Sequence, residues 1–360
     1  MKKVLSLLLS VLMLITAIPL AGFVASADYS YITLGSYPQS KVTDARTLKK
    51  LKFASKTWIS YGYFEDANTP GDYMQYCDIQ LDGAKYRGVK FSKYRPRYTT
   101  NTASTNLDYV VIPQHGNGYY IDTEYYFLYE PLTWRVLDAD TGLVMCESII
   151  DSQAYNDYYY DGYVDAAQTT YVNKWETSSI RQWLNDDFYN TAFSADAKTL
   201  IVQSTITNLG YSGYYDYADT EDNIFLLNDE EEWGYVGPLE NSLAQGTDYA
   251  KSQGLWAYSD GGACDGSSYW RLRSAGYYSY STCDVFWDGS CRNRNTYRTD
   301  YGIRPAFYCN LESEIPQETV CTCKCHKSGI VGIFWKIKVF FWKIFGKTEY
   351  RYCECGEAHW

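Results

Sequence analysis

The sequence predicts an irregular α+β fold with long loops, and three observations predict it. One clear helical periodicity sits mid-chain, with Ile180, Trp183, Leu184 and Phe188 recurring three or four residues apart. Short β-rich runs lie on both sides of it. The stretches between are rich in Gly, Asn, Thr, Asp and Tyr and carry little periodicity. With 46% hydrophobic and 21% charged residues, the 360-residue chain has a globular balance that excludes wholesale disorder. The 39 tyrosines argue that the loops are ordered; Tyr joins a large ring to a hydroxyl at low entropic cost and so is favoured at binding surfaces, while compositional habit in a β-rich extracellular protein is the alternative explanation.

In chain order, residues 32–38 (ITLGSYP) start as a short strand and turn at Gly35 and Pro38. Residues 60–118 read as loops and short strands. Residues 125–137 and 143–150 read as a hairpin around the Asp138 to Gly142 turn, with Trp134 and Val136 facing the core. Ser178 or Ser179 caps a helix reaching about Tyr189, and a second short helix follows Ser194. Residues 224–227 (IFLL) read as a buried strand. Residues 247–252 read as one or two helical turns. Short strands are expected at 270–274, 285–287 and 304–307, with polar loops between.

The ends differ from this body. Residues 1–27 read as a secretory signal peptide: Lys2 and Lys3, an apolar run, then Ala25-Ser26-Ala27 for cleavage. The body is 28–314, and a tail of 315–360 begins near Pro316. The net charge is -11, yet the tail balances seven Lys/Arg against four Glu, so the body is more acidic still. Such a body is ill suited to nucleic acid, a polyanion. The expected location is outside the cell, secreted or at the surface. Six body cysteines, Cys77, Cys146, Cys264, Cys283, Cys291 and Cys309, allow up to three disulfides there.

The body resembles a bacterial family, number 6273 among domains of unknown function. The stretches that carry the resemblance are Gly35-Ser-Tyr-Pro-Gln-Ser40, Trp134-Arg-Val-Leu137, Trp175 to Asn185 (WETSSIRQWLN), Phe193-Ser194, Ile224-Phe-Leu-Leu227, Trp270-Arg-Leu-Arg-Ser274 and Gly302-Ile-Arg-Pro-Ala-Phe307. The closing pair is also similar to the C-type-lectin-like fold of formylglycine-generating enzymes. The resemblance implies an irregular C-type-lectin-like domain whose ligand surface is the loop region before the last strand.

Residues 276–301 are the expected ligand surface. Tyr277, Tyr278, Tyr280, Trp287, Arg294 and Tyr297 stand among Ser, Thr, Asn and Asp, a mixture of rigid aromatic anchors and adaptable polar groups. Trp134, Trp175, Arg181, Trp183, Trp270, Arg273 and Arg304 are expected to be structural, and Arg271 with them. Calcium is disfavoured: a loop started at Asp157 puts Tyr159 and Gln168 where ligands belong, and the acidic run Asp219 to Asn223 has no fixed spacing. His115 is the body's lone histidine, in a Gly/Asn-rich loop, and no nucleophile system is visible. A formylglycine-generating activity would need a reactive metal-binding cysteine pair, whereas a local disulfide explains Cys283 and Cys291 more simply.

In the tail, Cys321, Cys323, Cys325 and His326 are followed by Cys353, Cys355 and His359. These seven groups exceed the four a tetrahedral zinc needs, so one bound zinc is expected, with disulfides as the rival. Between them, residues 330–345 read as an amphipathic helix able to lie on an anionic membrane surface. The function expected is thus a non-catalytic binding protein recognising glycan or protein. The alternatives are an enzyme of formylglycine-generating or carbohydrate-active type, or a structural envelope protein.

Overall fold

The computed structural model describes residues 30–61, 74–95, 97, 112–156, 172–208, 217–237 and 239–311. The signal peptide, nearly all of the Asp157 loop and the whole tail, including Cys321, Cys323, Cys325, His326, Cys353, Cys355 and His359, lie outside the described residues. Contacts divide the chain into Met1–Ser30 and Tyr31–Trp360, and all that follows concerns the second unit.

The strands are β1 (Tyr31–Lys41), β2 (Ile59–Ser60), β3 (Met74–Leu81), β4 (Ala84–Phe91), β5 (Tyr125–Asp138), β6 (Leu143–Cys146), β7 (Asp151–Ser152), β8 (Ile201–Val202), β9 (Ser204–Ile206), β10 (Thr220–Asp222), β11 (Trp270–Ala275), β12 (Ser281–Val285), β13 (Cys291–Asn295), β14 (Gly302–Ile303) and β15 (Ala306–Cys309). An eight-stranded sheet runs β2-β3-β4-β5-β6-β15-β8, with β1 also paired to β5. A five-stranded sheet runs β13-β12-β11-β14-β7, and β9 pairs with β10. The mixed α+β class is therefore present, with strands in several sheets.

Four local readings need correction. β1 does not turn at Gly35 and Pro38. It continues through both while pairing along β5, with one register shift between Thr33 and Ser36, where Gly35 lies, and another between Pro38 and Lys41. Gly35 has φ +73°, and a Cβ there would stand 2.6 Å from the Ala192 carbonyl, so this close approach requires glycine. Within the stretch read as loops and short strands, residues 74–91 are a regular hairpin: β3 and β4 pair from Met74↔Phe91 to Leu81↔Ala84. Asp82 and Gly83 both take positive φ, as a two-residue hairpin turn demands. Ile224 to Leu227 are all buried yet form no strand: they meet the sheets through the Phe225↔Ala306 bridge and through the Arg273 N–H, which donates to the Leu227 carbonyl at 2.9 Å. Finally, the strand expected at 285–287 ends at Val285 and begins earlier, at Ser281.

The helical readings agree with the structure. Ser178 caps helix α1 (Ser179–Trp183), its side chain accepting from the Arg181 N–H. The helix continues through a π turn (Leu184–Phe188) to Tyr189–Ala192. Asn185 lies in that π turn. Its amide donates to the Ile224 carbonyl at 2.8 Å and accepts from the Asn223 and Ile224 N–H groups, so it fastens the helix to the buried 224–227 segment. Ser194 caps α2 (Ala195–Lys198) and Thr247 caps α3 (Asp248–Ser252). An unforeseen helix, Ala45–Phe53, is capped by Asp44.

One core serves both larger sheets. Trp134 from β5 is fully buried, donates from its indole to the Leu34 carbonyl at 2.8 Å, and meets Phe307 of β15 edge-on at 4.6 Å. Phe193 stacks over the same indole at 6.0 Å. Trp175, Trp183 and Trp270 are likewise buried.

Candidate ligand-binding surface

The Tyr-rich segment is built on β11, the middle strand of its sheet. Arg271 and Asp284 are both fully buried. The Arg271 guanidinium donates from Nη1 to Thr282 Oγ1 (3.1 Å) and Asp284 Oδ2 (3.0 Å). From Nη2 it donates to the carbonyls of Asn295 (3.1 Å) and Arg298 (2.7 Å). It also lies 4.7 Å from the centre of the Tyr301 ring. One side chain thus holds β12, the end of β13 and the 295–301 loop together. Burial pushes the Asp284 carboxyl up to about 7, against the pull of Arg271.

Other arginines hold the surrounding loops. Arg273 forms a two-pronged pair with Glu231 (2.5 and 2.7 Å). Arg304 donates from Nε to the Cys146 carbonyl at 2.8 Å and lies 5.1 Å from the Trp270 ring. Arg181 pairs at 2.6 Å with Asp222, whose other oxygen accepts from the Trp175 indole at 2.8 Å. The acidic run at 219–223 is tied into the fold through Asp222. Among the described residues, no group of three or more His, Cys, Asp or Glu is placed to hold a metal ion.

Five of the six expected ligand residues divide between two ends of the β12–β13 hairpin, and Arg294 lies on the strand between. At one end Tyr277 and Tyr278 are exposed, at 56% and 53%. Tyr278 stacks parallel to Tyr280 at 5.2 Å and meets Tyr277 edge-on at 4.8 Å. Tyr297 is at the same end, its hydroxyl accepting from the Asn295 amide at 2.5 Å, and the Thr296 N–H donates to the Tyr280 carbonyl. At the other end Trp287 stacks on Tyr258 at 3.8 Å, tilted only 7°. The strand between is five residues long, about 13 Å by its rise. Arg294 lies between the ends on the edge strand, over the Phe286 ring at 4.4 Å, with Arg292 over the same ring at 4.6 Å. Trp256, Tyr258 and Tyr269, which were not anticipated, extend this aromatic surface, with buried Phe286 beneath Arg292 and Arg294. Trp256 stacks on Tyr269, which stacks on buried Tyr301. The Trp256-Ala-Tyr258 alternation was the available signal.

A separate pocket of about 80 Å³ is lined by Tyr37, Ser60, Tyr61, Tyr76, Arg87, Trp183, Asp187 and Thr191. Arg87 gives Nε and Nη2 to Asp78 at 2.8 and 3.0 Å and lies 4.6 Å from the Tyr76 ring. Behind the pocket, fully buried Asp151 accepts from the hydroxyls of Tyr37 (3.0 Å) and Tyr61 (3.4 Å) and from the Ser152 N–H (2.7 Å). Burial pushes its carboxyl up to about 6. His115 is on the surface, edge-on to Tyr94 and Tyr120. The six body cysteines are all free thiols, with Cys77, Cys146 and Cys309 buried.

No curated protein matches this chain. No solved structure matches it either. Residues 140–311 match the family model described as a domain of unknown function, DUF6273. That span holds α1, the 224–227 segment, the Arg271–Asp284 hub and all six expected ligand residues. It leaves Gly35 to Ser40, Trp134 to Leu137 and most of the Tyr37–Arg87 pocket outside. Residues 140–311 are thus a DUF6273 domain.

Proposed function

We propose that this chain is a non-catalytic binding protein of the cell exterior that recognises glycan or protein through the surface at 276–301. One observation carries the reading: adjacent Tyr277 and Tyr278 are each about half exposed on a segment anchored by the fully buried Arg271–Asp284 pair. Folded proteins rarely leave adjacent large rings in water without a use for them. A rigid foundation lets such rings bind without an ordering cost. The finer fold reading is C-type-lectin-like, supported by the Trp-Arg strand, the loop-rich hairpin and the closing Gly302-Ile-Arg-Pro strand beside it. Export rests on the leader pattern of residues 1–27, and one tail zinc on the Cys/His spacing. The 330–345 stretch supports contact with an anionic membrane surface.

A screen of the full chain against glycan and protein arrays tests the binding reading. Saturable binding to at least one array member is expected. Turnover of an array member, rather than retention, would favour the enzyme alternatives.

A further inference from the structure

Two thiols meet on the edge of the five-stranded sheet. The register sets Cys283 against Asn293 and Val285 against Cys291. The cysteines are therefore diagonal neighbours, and strand alternation puts both on the same face of the hairpin. The Cys283 thiol is the largest influence on the proton affinity of Cys291, which it raises. Cys291 is exposed and Cys283 half-buried, whereas Cys77, Cys146 and Cys309 are shut inside. A third group completes the cluster. The Cys291 thiol donates to Glu232 Oε2 at 3.7 Å, and that carboxylate also accepts from the Ser242 hydroxyl. β13 is paired only to β12 among the described strands, so its outer side is free to adjust.

We propose that Cys283 and Cys291 form a modification site that closes into a cross-strand disulfide by exchange with an external low-molecular-weight disulfide. The exposed Cys291 reacts first. Its proton passes to Glu232, whose affinity for a proton is raised by burial. The Cys291 sulfur attacks one sulfur of the external disulfide, whose S–S bond breaks and releases one thiolate. Cys283 then loses its proton and attacks Cys291 Sγ, breaking the mixed disulfide and releasing the second thiolate. The two protein thiols give up two protons and two electrons, and the external disulfide leaves as two thiols. The neighbouring Cys283 thiol, ahead of burial, holds the pKa of Cys291 high, so proton removal paces the exchange and its rate rises with pH.

Diagonal strand neighbours stand roughly 7–8 Å apart at Cα. A disulfide needs roughly 4.4–6.8 Å. Closure therefore draws the edge strand inward by about an ångström, and with it Arg292 and Arg294. The proposal holds whether or not the 276–301 surface binds a ligand.

Reduced full-length protein, equilibrated in glutathione buffers of increasing oxidation and then alkylated and digested with trypsin, tests it. Cleavage after Arg273 and Arg292 leaves both cysteines on one peptide, 274–292. The expected result is that this peptide escapes alkylation at both positions and is lighter by two hydrogens. In Cys283→Ser, Cys291 should instead hold a glutathione adduct, whereas Cys291→Ser should gain several-fold less. Full alkylation of both cysteines in buffers that oxidise a reference dithiol overturns the proposal. So do separate glutathione adducts on both in the unaltered protein. Should either variant fail to fold, the unaltered protein's peptide still decides.

Discussion

At the scale of single residues, buried charge explains most of what the Trp-Arg strand does. Arg271 makes five polar contacts with no exposed surface, so it is a structural hub rather than a ligand contact. Its partner has a measurable consequence. Asp284 and Asp151 are raised to about 7 and about 6, above the roughly 3.9 of an unfolded aspartate. Between those values the native state binds more protons than the unfolded state. The stability these groups contribute is present below about pH 4 and is lost as pH rises through 6 and 7. The melting temperature is therefore expected to fall between pH 5 and pH 8, and Asp284→Asn should flatten part of that fall. A profile that rises across this window in both proteins would contradict the assignment. Arg271→Met should cost about 3–5 kcal/mol at pH 8, where it strands a buried carboxylate, and clearly less at pH 5, where that carboxyl is protonated. Equal losses at both pH values, read by denaturant unfolding, would count against the pair's coupling.

At the scale of elements, legibility followed local signals. The α1 helix could be read because Ser178 caps it and four apolar residues recur on one face. The fastening of its π turn could not, because Asn185 there bonds to the distant 223–224 backbone. Asn185→Ala removes those bonds and leaves buried backbone groups unpaired, so it should cost about 2–3 kcal/mol by denaturant unfolding. A loss under 0.5 kcal/mol would show that the clamp is not a main support of this helix. The β3–β4 hairpin was legible in principle from Asp82-Gly83, the strongest short turn signal in that region, and weak alternation hid it. Ile224 to Leu227 misled for the opposite reason. A continuous apolar run reports burial, and burial here came with isolated backbone bonds to two strands rather than a strand of its own.

At the scale of the whole molecule, the 276–301 part of the aromatic surface was legible because its residues are contiguous in sequence, whereas Trp256, Tyr258 and Tyr269 join it from a separate stretch. The Tyr37–Arg87 pocket was not, because β1, β2, β3, β4 and the helix after Ser178 each supply part of its wall. The tail carries its own prediction. Native mass spectrometry of the full chain should show one zinc adduct, lost on deleting residues 318–360. Five oxidised tail cysteines with no bound metal would end that reading. The central claim, binding through the 276–301 surface, is tested most directly by titrating an array-selected ligand against the full chain and its alanine variants. Tyr277→Ala, Tyr278→Ala, Tyr280→Ala and Trp287→Ala should each cost about 1–2 kcal/mol of binding, as anchoring aromatic residues do at interfaces, with melting temperature little changed at exposed Tyr277 and Tyr278. Unchanged affinity in a folded variant carrying all four substitutions would contradict the account.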